Sequence, residues 1–461
     1  MIKIPAKKNE IIEAAIEHIT SLEDEMFSSG PVQFYFPQVF SSNAKKLREG
    51  LEGLDFETRI YYANKANKSE VFVKAAHKTG ICIDVASPNE LNNAIKHGFD
   101  GQRIECTGVK NTMFIKKCIA HNCLIILDSL DEFQQVKKSI VGEQKPRIAF
   151  RINDPFCDEG LYKKVSRFGI AKKDYLALVK YEDLNAFCVE GLHFHNDDYS
   201  IENKSNMMSE MLLLYKPLFK KGIFPKILNI GGGYRFSFVN PDHKEALTSD
   251  LEQIDFDDVA YANTIFGFSK GRNGKINKNL ITSAFFPPDA IAFLNKVLGD
   301  SNPKNNIIEE LGLAVCIEPG NALLELCGIL AIRVIATKQL FDGKCGVVVD
   351  GNIYNLAANM KSRTTDPILI SRGSTNSNTP YEAYIFGNLC REDDILLDRK
   401  VCFDKKPEIG DLLVFINTAA YAGSFEDSNP ILQPTNKNYV YTHINNQSTL
   451  VTEEEFIKTQ A

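Results

Sequence analysis

The sequence predicts an α/β fold: a (β/α)8 TIM-type barrel followed by a C-terminal antiparallel β domain. Three observations lead there. From about residue 40 to residue 235, short apolar runs alternate with amphipathic helical patterns, the signature of parallel strand–helix units. Seven such units, with one more ending at AVCIEPG, make eight over about 280 residues, close to the usual size of such a barrel. Beyond Gly320 the helical periodicity fades, and strand-like runs follow one another across turns.

In chain order, Ile11, Ile12, Ala15, Ile16 and Ile19 recur at helical spacing, and a Ser-Ser-Gly-Pro break separates that helix from the strand VQFYF at 32–36. The barrel strands are RIYYA, GICIDVA, RIECT, CLIILDS, RIAFRIN, VEGLHFH, KILNIGGG and AVCIEPG. Helices are expected between them over 69–79, 88–98, 110–121, 130–138 and 201–220. The stretch 241–305 carries FGFSKGRNGKINKN and a helical pattern at 288–298, and reads as an insertion: a lid, an oligomer contact or a surface loop. The runs IRVIATKQL, CGVVVD, YEAYIFG, KVCFD, DLLVFI and NYVYTHIN make the β domain. The expected organisation is therefore residues 1–38 joining the β domain, 39–318 forming the barrel, and 319–461 forming the β domain.

Composition sets the class. A chain of 461 residues, 44% hydrophobic and 24% charged, is long enough for two cores. A net charge of −6 provides no electrostatic footprint for nucleic acid or an anionic membrane. The N-terminus is an amphipathic helix pattern rather than an apolar signal core, and no apolar run approaches the roughly 18 residues a span requires. The 11 cysteines form no C-x-x-C pair, which argues against a zinc ribbon or thioredoxin-like site, and the scatter suits a reducing cytosol. A cytoplasmic protein is expected.

Several residues carry chemistry. Lys65, in YYANKAN, stands at the end of the first barrel strand, where a lysine can form a Schiff base with a carbonyl cofactor or simply be solvated. Gly231, Gly232 and Gly233 follow the strand KILNI, so backbone N–H groups there can approach a phosphate; a plain tight turn is the alternative. His193 and His195 in GLHFH share one strand face and suit either a metal pair or an imidazole packed on a planar cofactor, the second fitting better because only His243 and His443 follow. Glu318, in CIEPG, can keep a pyridine nitrogen protonated, or cap a helix. Cys390 lies among polar neighbours in FGNLCREDDIL, as a thiol acting as an acid would, and Tyr421 in FINTAAYAGSF is a candidate phosphate donor.

In this order the pieces resemble the fold-type III pyridoxal-5′-phosphate (PLP) decarboxylases, the group of diaminopimelate, ornithine and arginine decarboxylases, whose barrel is alanine-racemase-like. The motifs are YYANKAN, DVASPNEL, FRIN, RFGI, GLHFH, LNIGGGY, EPG, GNLCREDD and GDLLVFINTAAY, spanning residues 61 to 421. The resemblance implies PLP on Lys65, with Asp84, Glu90 and Arg151 lining the cofactor face and His195 stacked on its ring. It implies a phosphate loop at Gly231–Gly233, Glu318 of EPG (through Gly320) at the pyridine nitrogen, and Tyr421 at the phosphate. It also implies a homodimer in which Cys390 reaches across the interface to protonate the substrate carbon.

Three departures stand out. Asn196-Asp197-Asp198-Tyr199-Ser200 replaces the usual hydrophobic–Gly–Ser, so Ser200 is the candidate phosphate hydroxyl; Asn321 replaces the usual Arg after EPG; and Arg391 follows the cysteine where an acid is common. Arg391 would repel a distal ammonium and pair with a carboxylate, whereas Asp394 nearby would do the reverse. A diamino acid such as lysine, ornithine or diaminopimelate, of L or D configuration, and an amino-acid conjugate of a specialised pathway both stay open, since NDDYS and AAYAGSF also resemble a branch with D-ornithine/D-lysine decarboxylases. The rivals are an amino-acid racemase on the same fold, a non-catalytic regulatory homologue and a metal-dependent barrel hydrolase.

Overall fold

The computed structural model describes residues 3–153, 166–196, 200–252, 286–299, 304–341, 343–356, 364–373, 379–397, 399–426, 428–445 and 447–459. Two compact units result, one of residues 41–235 and 289–323, the other of 1–40, 236–288 and 324–461.

The first strand, β1 (Val32–Tyr35), belongs to the second unit. The first unit is a closed barrel of eight parallel strands: β2 (Thr58–Ala63), β3 (Cys82–Val85), β4 (Ile104–Cys106), β5 (Leu124–Leu127), β6 (Arg147–Arg151), β7 (Cys188–His193), β8 (Ile227–Asn229) and β9 (Ala314–Ile317). Closure comes from β2 pairing with β9, Ile60 opposite Ile317. Tyr61, Leu124, Ile126, Ala149, Ile227, Ala314 and Cys316 pack together as a core cluster, so the barrel is filled rather than hollow.

Sequence-local signals start the helices. Ser69, Ser87, Asn111 and Ser129 each accept a first-turn N–H from Val71, Glu90, Phe114 and Glu132, respectively. In SPNE and SLDE, the third residue after the serine is a glutamate whose carboxylate turns back to the N–H of Ala86 or Asp128. These caps set where each strand stops and hence where the site residues stand. The helix expected over 201–220 is instead two, Ile201–Leu213 and Lys216–Phe219. Pro217 cannot donate to a preceding carbonyl and restarts the helix at its first turn.

The second unit is a nine-stranded sheet. Its strands after β1 are β10 (Gly328–Gln339), β11 (Cys345–Val349), β12 (Ile368–Ile370), β13 (Tyr381–Phe386), β14 (Val401–Phe403), β15 (Leu412–Ile416), β16 (Lys437–Ile444) and β17 (Gln447–Thr452). The order is β14-β13-β11-β10-β1-β16-β17, with β15 on β10 and β12 on β15. It is mostly antiparallel, but β1–β16 and β11–β13 run parallel. Its core includes Leu330, Val347, Ile385, Leu413 and Phe415.

The stretch read as one barrel insertion divides. Residues 236–252 fall in the β unit, where Val239 bridges Ala6 and Lys7 N donates to Phe238 O at 2.9 Å. The helix Ala290–Leu298 falls in the barrel unit, with Phe293 edge-on to Tyr234. The FGFSKGRNGKINKN motif lies outside the described residues. No helix among those described is long and apolar enough to cross a membrane.

Candidate active site

The barrel gathers its polar residues at the carboxyl ends of its strands, where such barrels place their chemistry. Lys65 sits in a single helical turn, Asn64–Ala66, directly after β2. Asp84 lies in β3, Glu105 in β4, Arg151 ends β6, His193 ends β7, Asn229 ends β8, and Glu318 follows β9. Lys65 is exposed, whereas Asp84, Glu105, His193, Asn229 and Glu318 are buried.

Glu318 is the hub. Its Oε1 accepts from His193 Nε2 at 2.7 Å and from Asn229 Nδ2 at 2.9 Å. Burial pushes the Glu318 carboxyl up, but His193, with His195 and Lys65 behind it, outweighs that and holds the group below the usual carboxylate range. His195 goes the other way: burial, then the Lys65 charge, brings its imidazole down to about 3, so it is neutral at physiological pH. His193 is likewise lowered, first by burial. With its Nε2 directed at Glu318, His193 is a carboxylate-holding group and not half of a metal pair.

Asp84 accepts from Thr107 Oγ1 at 2.6 Å. Burial, then the charge of Glu318, raises it to about 7 against the opposing pull of Lys65. Glu90 is raised by burial while its carboxylate holds Ala86 N at 2.6 Å, so it shapes the strand end. Arg151 stands 3.9 Å from Asp128 Oδ1, over the ring of Phe168 at 4.8 Å.

The GGG segment is a backbone cradle. Gly231 has φ +67°, and a Cβ there would lie 2.5 Å from Phe194 O; at Gly232 it would lie 2.7 Å from Glu318 O and 3.3 Å from His195 Nε2. Glycine is required on both steric and conformational grounds. Gly233 is also at positive φ, +95°. Asn229 Oδ1 accepts from Gly231 N at 2.8 Å, and Gly231 O accepts from Glu318 N at 3.0 Å, which laces the loop to the hub. Lys204, almost fully buried, donates to the carbonyls of Ile230 and Gly232 at 2.9 and 2.7 Å, bringing a positive charge under the loop. Gly320 is buried in the EPG turn, and the buried Oδ1 of Asn321 and hydroxyl of Tyr234 find no partner among the described residues.

These features fit PLP. The set offers an amine for the aldehyde, a glycine cradle for the phosphate, a neutral imidazole for the ring face and an ionised carboxylate for the ring nitrogen. It is rich in buried acid and thereby favours a cationic ring.

Of the remaining expected site residues, Ser200 belongs to the barrel unit and four belong to the β unit. The Ser200 hydroxyl caps the helix Ile201–Leu213, accepting from Asn203 N at 3.1 Å. Asp197 to Tyr199 lie outside the described residues. Cys390, Arg391, Asp394 and Tyr421 are in the β unit. Cys390 is exposed and lines a cavity of that unit with Arg391, Glu392, Phe386 and Lys338. Asp394, expected at the substrate, is buried and accepts from the N–H groups of Ile353 and Leu389 at 3.0 and 2.8 Å, so it shapes the loop that presents Cys390. Tyr421 is half-buried at φ +50°, in the left-handed region, with its ring 6.0 Å from Phe425. Sequence reasoning missed Glu105, Thr107, Lys204 and Asn229. Charged Glu105 inside the short apolar strand RIECT was the one legible signal among them.

Comparison with known proteins agrees with this fold. The family model described as "Pyridoxal-dependent decarboxylase, pyridoxal binding domain" matches residues 40–260. An uncharacterized protein of Sinorhizobium fredii is 28% identical over 85% of this chain and 83% of its own length. The diaminopimelate decarboxylase of Aquifex aeolicus is 29% identical over 83% of this chain and 81% of its own. Among solved structures, the Paramecium bursaria Chlorella virus arginine decarboxylase superposes with a TM-score of 0.68 at 16% identity, covering 93% of this chain and 99% of that one. Helicobacter pylori diaminopimelate decarboxylase complexed with L-lysine reaches 0.67 at 17% identity, covering 97% and 99%.

Proposed function

The chain belongs to the fold-type III PLP-dependent amino-acid decarboxylases, and from that premise we propose that it releases CO2 from a diamino acid, with PLP held on Lys65. The observation that carries this reading is the buried Glu318 carboxylate, kept ionised by His193 and Asn229 and laced to the glycine loop. When bound, PLP supplies an electron sink for the pair left by Cα–carboxylate cleavage. Glu318 holds a proton at the ring nitrogen and so favours that sink. His195, neutral, would face the ring without adding a competing positive charge. The N–H groups of Gly232 and Gly233 and the charge of Lys204 would receive the phosphate, offsetting the absent arginine at Asn321, while the Gly231 N–H stays on Asn229 and holds the loop in place.

The Cys390 thiol is exposed on a loop whose acid exceeds its base. As the proton donor to the substrate carbon it acts from the partner of a homodimer. Arg391, next to it, is held by Asp393 at 2.9 and 2.5 Å and by the Tyr354 hydroxyl at 3.1 Å. Its charge is already matched, which supports a substrate with a distal ammonium over an acidic conjugate.

The test is CO2 release from both enantiomers of lysine, ornithine and diaminopimelate. Turnover of at least one is expected, with the enantiomer ratio reporting configuration. Purified protein should absorb near the visible edge with PLP, and borohydride should fix the label on Lys65. Lys65→Ala should abolish both signals. A colourless protein with no label at Lys65 would refute the reading; turnover of acidic conjugates alone would overturn the diamino-acid assignment.

A further inference from the structure

One carboxyl in the barrel has no role in the scheme above. Glu105 is fully buried in β4, paired with Leu124 of the inner cluster, where a barrel normally places an aliphatic residue. Asn229 Nδ2 donates to Glu105 Oε2 and to Glu318 Oε1, each at 2.9 Å, while Asn229 Oδ1 receives the Gly231 N–H. One amide therefore ties Glu105 to both the hub carboxylate and the phosphate cradle. The other oxygen of Glu105, Oε1, is buried and receives no donor among the described residues, and the Glu318 carboxylate lies within hydrogen-bonding reach of the Glu105 carboxyl.

Two carboxylates sharing one amide in a dry interior cannot both be charged. The charged and titratable groups facing Glu105 are Glu318, Asp84, Cys82, Tyr61 and Cys316, and Glu318 in turn faces His193, His195 and Lys65. Burial, then the charges of Glu318 and Asp84, drives Glu105 upward, whereas Glu318 is held low. The shared proton therefore resides on Glu105.

Resting on the reading that Glu318 serves the cofactor's ring nitrogen, we infer that Glu105 is a positioning residue, a permanently protonated carboxyl that, with Asn229, keeps Glu318 ionised and aimed. A neutral donor beside a carboxylate favours its charged form, and the Asn229 amide is fixed only while both its acceptors are present. Loss of the Glu105 carboxyl frees that amide to turn, and the Gly231 N–H loses its anchor with it.

Infrared difference spectra test the proton directly, without cofactor. Wild type minus Glu105→Gln, taken near neutral to mildly basic pH, should show the carbonyl stretch of one protonated carboxyl, shifted in D2O. With PLP loaded, Glu105→Leu, of similar size and apolar, should lower kcat roughly tenfold to hundredfold with little change in KM. It should also displace the pH profile of the bound-cofactor absorbance, and Glu105→Gln, which keeps a donor, should recover much of both. No lost carboxyl band in Glu105→Gln, or a Glu105→Leu enzyme matching wild type in kcat and absorbance profile, would overturn the assignment. Should Glu105→Leu not fold, the glutamine variant and its infrared band decide alone. Failure of Lys65 to take up PLP would sink the functional reading instead, and leaves the infrared outcome independent of it.

Discussion

Asp84 illustrates how a single residue couples the site to stability. Its carboxyl moves from an ordinary 3.8 to about 7 on folding. A raised carboxyl means the folded chain holds a proton the unfolded chain releases, so this contribution is fully present below 3.8 and is lost as pH rises through about 7. His195 has the opposite sign: its imidazole is depressed to about 3, so its contribution is present above the ordinary 6.5 and is lost as pH falls toward 3. The two oppose each other over much of the acid range, so the comparison of wild type with Asp84→Asn isolates the first. Relative to wild type, the asparagine variant should gain stability by up to ~1.4 kcal/mol per pH unit as pH rises toward about 7, and the gap should then level off. Urea unfolding of both proteins without PLP from about pH 5 to about pH 8 measures this; a gap independent of pH would show that Asp84 is not buried as a neutral acid. Asp84 and Glu318 were legible from DVAS and EPG. Asn229 was not, because an asparagine at a strand end looks like turn chemistry until its amide is seen to bridge two acids.

At the scale of elements, the glycine loop, EPG and the end of β8 form one laced structure. Gly231 N binds Asn229, Gly231 O binds Glu318 N, and a Cβ at Gly232 would strike Glu318 O. Gly232→Ala should therefore displace the EPG turn as well as the cradle. The expected result is at least a tenfold loss of PLP affinity, read by fluorescence titration, with folding weakened by roughly 1–3 kcal/mol, the usual cost of overpacking. An alanine variant binding PLP like wild type would mean the loop has room the structure denies. Motif and spacing made this loop readable, since GGG after a strand has few uses. Lys204 was hidden, because a lysine in the helix Ile201–Leu213 reads as solvated until its ammonium is found on the carbonyls of Ile230 and Gly232. The same helix shows why Ser200 is an ambiguous signal: the residue type that binds phosphate is also the one that caps helices, and the Ser200 hydroxyl accepts from Asn203 N.

At the scale of the molecule, the barrel carries Lys65 and the β unit carries Cys390. If the thiol acts from a partner chain, neither a Lys65→Ala homodimer nor a Cys390→Ala homodimer should turn over at more than a trace. Mixing and re-equilibrating the two should restore activity, because hybrid dimers hold one intact site. Sedimentation should show a dimer in each case. A monomer, or mixtures no more active than their parents, would place the proton donor in the same chain as the lysine.

Periodicity and punctuation by themselves determined the eight barrel strands, the change of texture after Gly320 and the motif order that carries the family. These are local properties, written in alternation, capping serines and glycines, and they survive without knowledge of what packs on what. Only the tertiary structure decided which polar groups share a buried space: that His193 grips Glu318, that Asp394 supports its own loop, and that Glu105 and Glu318 divide one amide between them. The reason is physical. Charge state and hydrogen-bond partnership depend on distance and on exclusion of water, and both are set by strands far apart in the chain meeting at one end of a closed barrel.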